Sequence, residues 1–184
     1  MSFENIKLAY GIANTSSTSG YIGAVLITDY KGFPLEFRYT DPIIPTKIQQ
    51  VLYGKGLEKY IKLDVITDSL IRILSNRISV LLVQDEDLLN YNSDNIVIIR
   101  VSSTKAPPLS SPGDLSEVKK SEYLLQISQS NHPIRLQFSP NFECTGERFD
   151  SIIKTLVEAG EFMDIDEPLN RVYKTLELIC NQEV

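Results

Sequence analysis

The sequence predicts an α/β (α+β) chain: a mixed, mainly antiparallel sheet with helices packed on it and a helical pair toward the C-terminus. Three observations carry this. Residues 20–40 read as two apolar runs around a short polar turn, the pattern of a hairpin. Two continuous apolar runs, Ser79–Gln84 and Ile96–Val101, read as interior strands. Beyond residue 148, apolar side chains recur twice at helical spacing: Phe149, Ile152, Ile153, Leu156 and Val157, then Leu169, Val172, Tyr173, Leu176 and Ile179.

The elements follow in order. Ile6, Leu8, Tyr10 and Ile12 alternate, predicting a first strand, and the polar run Ala13–Gly20 predicts a loop. In the hairpin's second strand, Leu35, Phe37 and Tyr39 are expected inward, with Glu36 and Arg38 outward. Pro42 and Pro45 interrupt regular structure, because each lacks an amide donor and restrains the residue before it. Thr46 is then placed to cap a helix with Ile48, Val51 and Leu52 on one face, ended or kinked by Gly54 and Gly56. A second helix is expected from about Thr67, carrying Leu70, Ile71 and Leu74. Asp85 opens a helical turn through Tyr91. Tyr123–Ser128 and Ile134–Phe138 form a second hairpin, and Asp166 and Pro168 begin the last helix.

Residues 1–184 are expected to form a single globular domain, with an irregular Ser/Pro-rich excursion at 102–120. No apolar run approaches the ~20 residues of a bilayer span, and the N-terminal residues carry no export signal, so a cytoplasmic protein is expected. Cys144 and Cys180 are expected as free thiols in a reducing compartment. The net charge of −6 sits wholly in residues 143–184, which hold ten acidic and four basic residues against fourteen of each before them. That balance disfavours nucleic acid as a partner, since phosphates call for clustered cations. The best basic set, Lys47, Lys55, Lys59, Lys62, Arg72 and Arg77, is diluted by Glu58, Asp64 and Asp68.

No catalytic constellation is complete, and no cofactor is expected. Asp85, Glu86 and Asp87 at a strand end are the best candidate metal ligands, although N-capping and the helix dipole account for acids there equally well. Asp29, followed by Glu36 and Arg38, has the spacing of a metal-dependent nuclease hairpin but lacks the preceding helix. His132, the sole histidine, lies in a turn and has no nucleophile motif beside it. Gly54-x-Gly56 is no dinucleotide loop, lacking both the preceding strand and a third glycine. Glu161, Asp164, Asp166 and Glu167 cluster at the joint of the last two helices, where they are expected to form an acidic docking surface for a basic protein partner.

Leu8–Gly11 (LAYG), a polar loop, Gly20–Leu26 (GYIGAVL), the helix start at Lys47–Gln50 and Val80–Asp85 (VLLVQD) occur in one order. Over residues of about 5–90 this resembles the opening half of the ribonuclease H-like fold. The resemblance implies carboxylates on the first strand, the first helix and the end of the fourth strand, holding two divalent metals. Here those positions fall at about Tyr10, at Gln49 or Gln50, and at Asp85, so only one acid stands where three are implied. The expected function is therefore a non-catalytic cytoplasmic protein-binding subunit or accessory factor of a larger complex. The alternative is a metal-dependent nuclease or phosphodiesterase using Asp29, Asp85, Glu86 and Asp87.

Overall fold

A computed structural model describes residues 7–16, 20–129 and 132–181. Eight strands form one sheet in the order β3-β2-β1-β4-β5-β8-β7-β6. They are β1 (Lys7–Ser16), β2 (Gly20–Asp29), β3 (Pro34–Tyr39), β4 (Val80–Val83), β5 (Val97–Ser102), β6 (Leu115–Lys119), β7 (Glu122–Leu125) and β8 (Ile134–Phe138). β1 runs parallel to β4, and β4 to β5, while the other five ladders are antiparallel. The sheet is thus mixed and mainly antiparallel, as the sequence predicts.

A parallel neighbour requires a crossover, and the helical run between β3 and β4 supplies it. It comprises α1 (Lys47–Tyr53), a tight turn over Gly54–Gly56, α2 (Leu57–Tyr60), a π-helical stretch over Ile61–Thr67, and α3 (Asp68–Ile73). The predicted C-terminal pair is α4 (Gly146–Gly160) and α5 (Glu167–Cys180).

Each face of the sheet has its own core. Leu8, Tyr10, Leu82, Ile99 and Phe138 lie under Leu156 of α4 and Leu169 and Val172 of α5. The alternate residues Ala9, Ala13, Val25, Ile27, Leu81 and Val83 lie under Leu57, Ile61, Ile66 and Leu70 of the crossover. Small residues let the crossover approach closely. A Cβ on Gly23 would lie 2.2 Å from Ile66 Cγ2 and 3.0 Å from the Ile12 carbonyl oxygen.

Several elements depart from the sequence reading. β1 continues past Ile12 into the expected loop, because its ladder with β2 extends to Ser16 and Gly20; Ile6 and residues 17–19 lie outside the described residues, as do Ser130 and Asn131 of the second hairpin's turn. Gly54 and Gly56 do not end the crossover helix, which turns tightly through them and resumes at Leu57, well before Thr67. The excursion after β5 is shorter than expected. β6 pairs with β7, and a register shift between Glu117 and Lys119 breaks the alternation that would have announced it. On edge strand β3, Leu35 and Tyr39 are exposed while the Glu36 side chain is enclosed. Backbone amides of Ser75 and Asn76 and the Asn76 side chain all donate to Glu36, and these bonds turn it inward.

Candidate functional site

β1 and β4 run parallel and end side by side, and in open α/β sheets such carboxyl ends gather sites. Asp85 follows β4 there and caps the short helical turn Glu86–Asn90, its Oδ1 accepting from the Asp87 amide at 2.9 Å. Its other oxygen faces the crossover. Lys62 Nζ lies 2.9 Å from Asp85 Oδ2, 2.8 Å from Glu58 Oε1 and 3.0 Å from Asp87 Oδ2. Glu58 and Lys62 stand one helical turn apart, so both reach the same point. The lysine side chain is 10% exposed and the carboxylates of Glu58, Asp85 and Asp87 are 52%, 23% and 44% exposed.

Three acidic side chains therefore converge, and an ammonium fills the point where they meet. Burial pushes the Lys62 pKa down, but the bonds to Glu58, Asp85 and Asp87 outweigh it and hold the group above the ordinary lysine value. The separations are those of ammonium hydrogen bonds; oxygen ligands sit at about 2.0–2.1 Å from magnesium and 2.3–2.6 Å from calcium. Among the described residues, no group of three or more His, Cys, Asp or Glu side chains is placed to hold a metal ion. The donor set as it stands does not fit one.

The structure separates the remaining sequence candidates. Glu86 turns toward Arg100 at 3.6 Å, and Arg100 is itself anchored to the Gln84 carbonyl at 2.9 Å. Asp29 Oδ1 accepts from the Lys31 and Phe33 amides, both at 2.9 Å, and so shapes the β2–β3 turn. Glu36 is pulled down to a pKa of about 2, first by the Ser75 amide and then by the Asn76 side chain. It pins β3 to the segment after α3. His132 Nδ1 donates to the Ala106 carbonyl at 2.8 Å, tying the excursion to the second hairpin. At the acidic joint, Glu167 pairs with Arg171 at 3.0 Å and Asp166 begins α5, while Glu161 and Asp164 are exposed.

The positions implied by the ribonuclease H resemblance also shift. Tyr10 lies on the face covered by α5, opposite the Lys62 cluster. Its buried hydroxyl and that of Thr28 both lack a hydrogen bond, and burial drives the Tyr10 phenol well above its ordinary pKa. Extending the register Gly11↔Val83 brings Ala13, not Tyr10, alongside Asp85. Gln49 is engaged in the capping box of α1 with Thr46, and Gln50 donates to the Pro45 carbonyl. The crossover residues that meet Asp85 are Glu58 and Lys62. The one sequence signal was a lysine set among Ile61, Leu63 and Ile66, which reads as surface charge until the fold brings Asp85 to it.

No protein-family model matches the sequence, and no curated protein matches it. Among solved structures, endonuclease V of Ciona intestinalis, in complex with a 23mer DNA containing an inosine followed by a ribo-adenosine, superposes with a TM-score of 0.51 at 10% identity, covering 97% of this chain and 86% of that one. The fold is ribonuclease H-like. Endonuclease V from Streptomyces avermitilis gives a TM-score of 0.46 at 9% identity, over 86% of this chain and 84% of that one. Argonaute of Aquifex aeolicus gives 0.47 at 12% identity, over 85% of this chain and 25% of that one. The ribonuclease H-like likeness thus extends beyond residue 90, through β8 and the C-terminal helices.

Proposed function

We propose that this ribonuclease H-like domain is a non-catalytic binding protein, a subunit or accessory factor of a larger assembly. The observation that carries the reading is the Lys62 ammonium centred among Glu58, Asp85 and Asp87. Two-metal chemistry needs hard oxygen ligands free to close on a divalent ion; here those oxygens are committed to a fixed monovalent charge. The free thiols of Cys144 and Cys180 suit the cytoplasm, and no helix among the described residues is long and apolar enough to cross a membrane. Glu161 and Asp164 offer exposed carboxylates to a basic protein partner, whose association would weaken as salt rises.

The second reading is a metal-dependent nuclease, and the likeness to a DNA-bound endonuclease V over nearly the whole chain favours it. Incubation with single- and double-stranded DNA and RNA in magnesium or manganese separates the two. The binding reading expects no cleavage above buffer. Metal-dependent cleavage that disappears in Asp85→Asn would replace it with the nuclease.

A further inference from the structure

α1 is an apolar helix with nothing on its apolar side. None of its seven residues is buried. Ile48, Val51 and Leu52, at i, i+3 and i+4, form one stripe that is 72%, 81% and 76% exposed, and Ile44 just before it is 72% exposed. So short a helix is marginal in water without packing. Two local devices nonetheless hold it in place. Thr46 and Gln49 close a capping box at its start, and Tyr53 at its end stacks on Tyr60 with ring centroids 4.6 Å apart. The helix is thus fixed in direction and uncovered.

We propose that this stripe is where two copies of the chain meet, α1 against α1 across a two-fold axis near Val51. The uncovered side chains of Ile44, Ile48, Val51, Leu52 and Tyr53 amount to roughly 600 Å², larger than the few hundred Å² of an ordinary monomer patch. It approaches the ~800 Å² per partner of a standard interface. An isologous contact must also complement itself. The stripe does: it is aliphatic throughout, its neighbours Gln49 and Gln50 are uncharged, and the cations Lys47 and Lys55 stand beyond its two ends. No carboxylate lies in residues 42–57, so an acidic partner or a nucleic acid phosphate would be drawn only to the rim. The inference holds whether or not the Lys62 cluster is catalytic.

Salt discriminates the occupants. Bringing two lysine-rimmed faces together is opposed by like charge, so self-association should hold or tighten as salt rises, whereas an acidic or nucleic acid partner would be released. Sedimentation equilibrium of the full chain in low and high salt is the test. We expect a dimer under both conditions, and a dissociation constant raised at least about tenfold in Val51→Glu, with far-UV circular dichroism unchanged because the residue is already in water. Val51→Cys should form a disulfide-linked dimer under mild oxidation in a Cys144→Ser, Cys180→Ser background. A wild-type monomer at 100 µM-scale loading in both salts would overturn the proposal. So would a dimer that Val51→Glu leaves intact.

Discussion

The two faces of the sheet are covered by helices with the same apolar periodicity, yet they end in different states. Under α4 and α5 the cover is complete: Leu156, Leu169 and Val172 are shut against Tyr10, Leu82 and Phe138, and the aromatic rings of Tyr123, Phe138, Phe142 and Phe149 pack together. Under the crossover the cover is divided. α2 to α3 press onto small residues of β1 and β2, Lys62 is enclosed by carboxylates, and α1 runs free with its stripe in solvent. One face spends its hydrophobic surface on stability, and the other holds back a charged cluster and an apolar helix. Function is to be sought on the second.

The largest expected effect tests how tightly each cover sits. A Cβ on Gly23 would meet Ile66 Cγ2 at 2.2 Å, and one on Gly160 would meet Ile127 Cγ2 at 2.1 Å. Both atoms belong to β-branched side chains that cannot swing aside, so Gly23→Ala and Gly160→Ala should each lose about 2 kcal/mol in urea unfolding. A loss confined to Gly160→Ala would mean the crossover sits loosely.

Next comes the charged cluster. Lys62→Met leaves three partly exposed carboxylates facing one another. With solvent screening allowed for, the loss should be about 1–2 kcal/mol at pH 7 and smaller in high salt, again by urea unfolding. A variant as stable as the parent at low salt would show that the ion pairs are ornamental.

Smaller still is the Glu36 latch. Its pKa is lowered on folding, so its contribution is whole above the carboxylate's ordinary range and is lost as pH falls from about 5 toward 2. The urea midpoint should drop across that window, and Glu36→Gln should flatten the drop. The smallest effect is at Tyr10. Its hydroxyl is buried without a hydrogen bond, so Tyr10→Phe should change stability by less than about 0.5 kcal/mol. A loss above about 1 kcal/mol would reveal a bond to that oxygen.

The sheet and the closing helical pair were legible because their signals are local. β4 and β5 are uninterrupted apolar runs, and α5 announces itself by its stripe and by Pro168 in its first turn. What stayed hidden depends on distant partners. The spacing of Ile48, Val51 and Leu52 equals that of any buried stripe; periodicity defines a face and is silent about its cover. Asp85, Glu86 and Asp87 read as a unit, yet two of them turn to Lys62 and one to Arg100, because a tight helical turn fans consecutive side chains apart. Lys62 itself counted as one more surface cation until the crossover laid it beside the end of β4. Glu36 was assigned outward by alternation, which takes no account of amides arriving from Ser75 and Asn76.

The central claim is that a lysine stands where a divalent ion would have to bind, and manganese titration followed by electron paramagnetic resonance tests it most directly. At pH 7 the parent protein should take up no manganese at this cluster, and Lys62→Met should gain one site that Asp85→Asn, added to it, removes. Tight manganese binding by the parent, abolished by Asp85→Asn alone, would contradict the account.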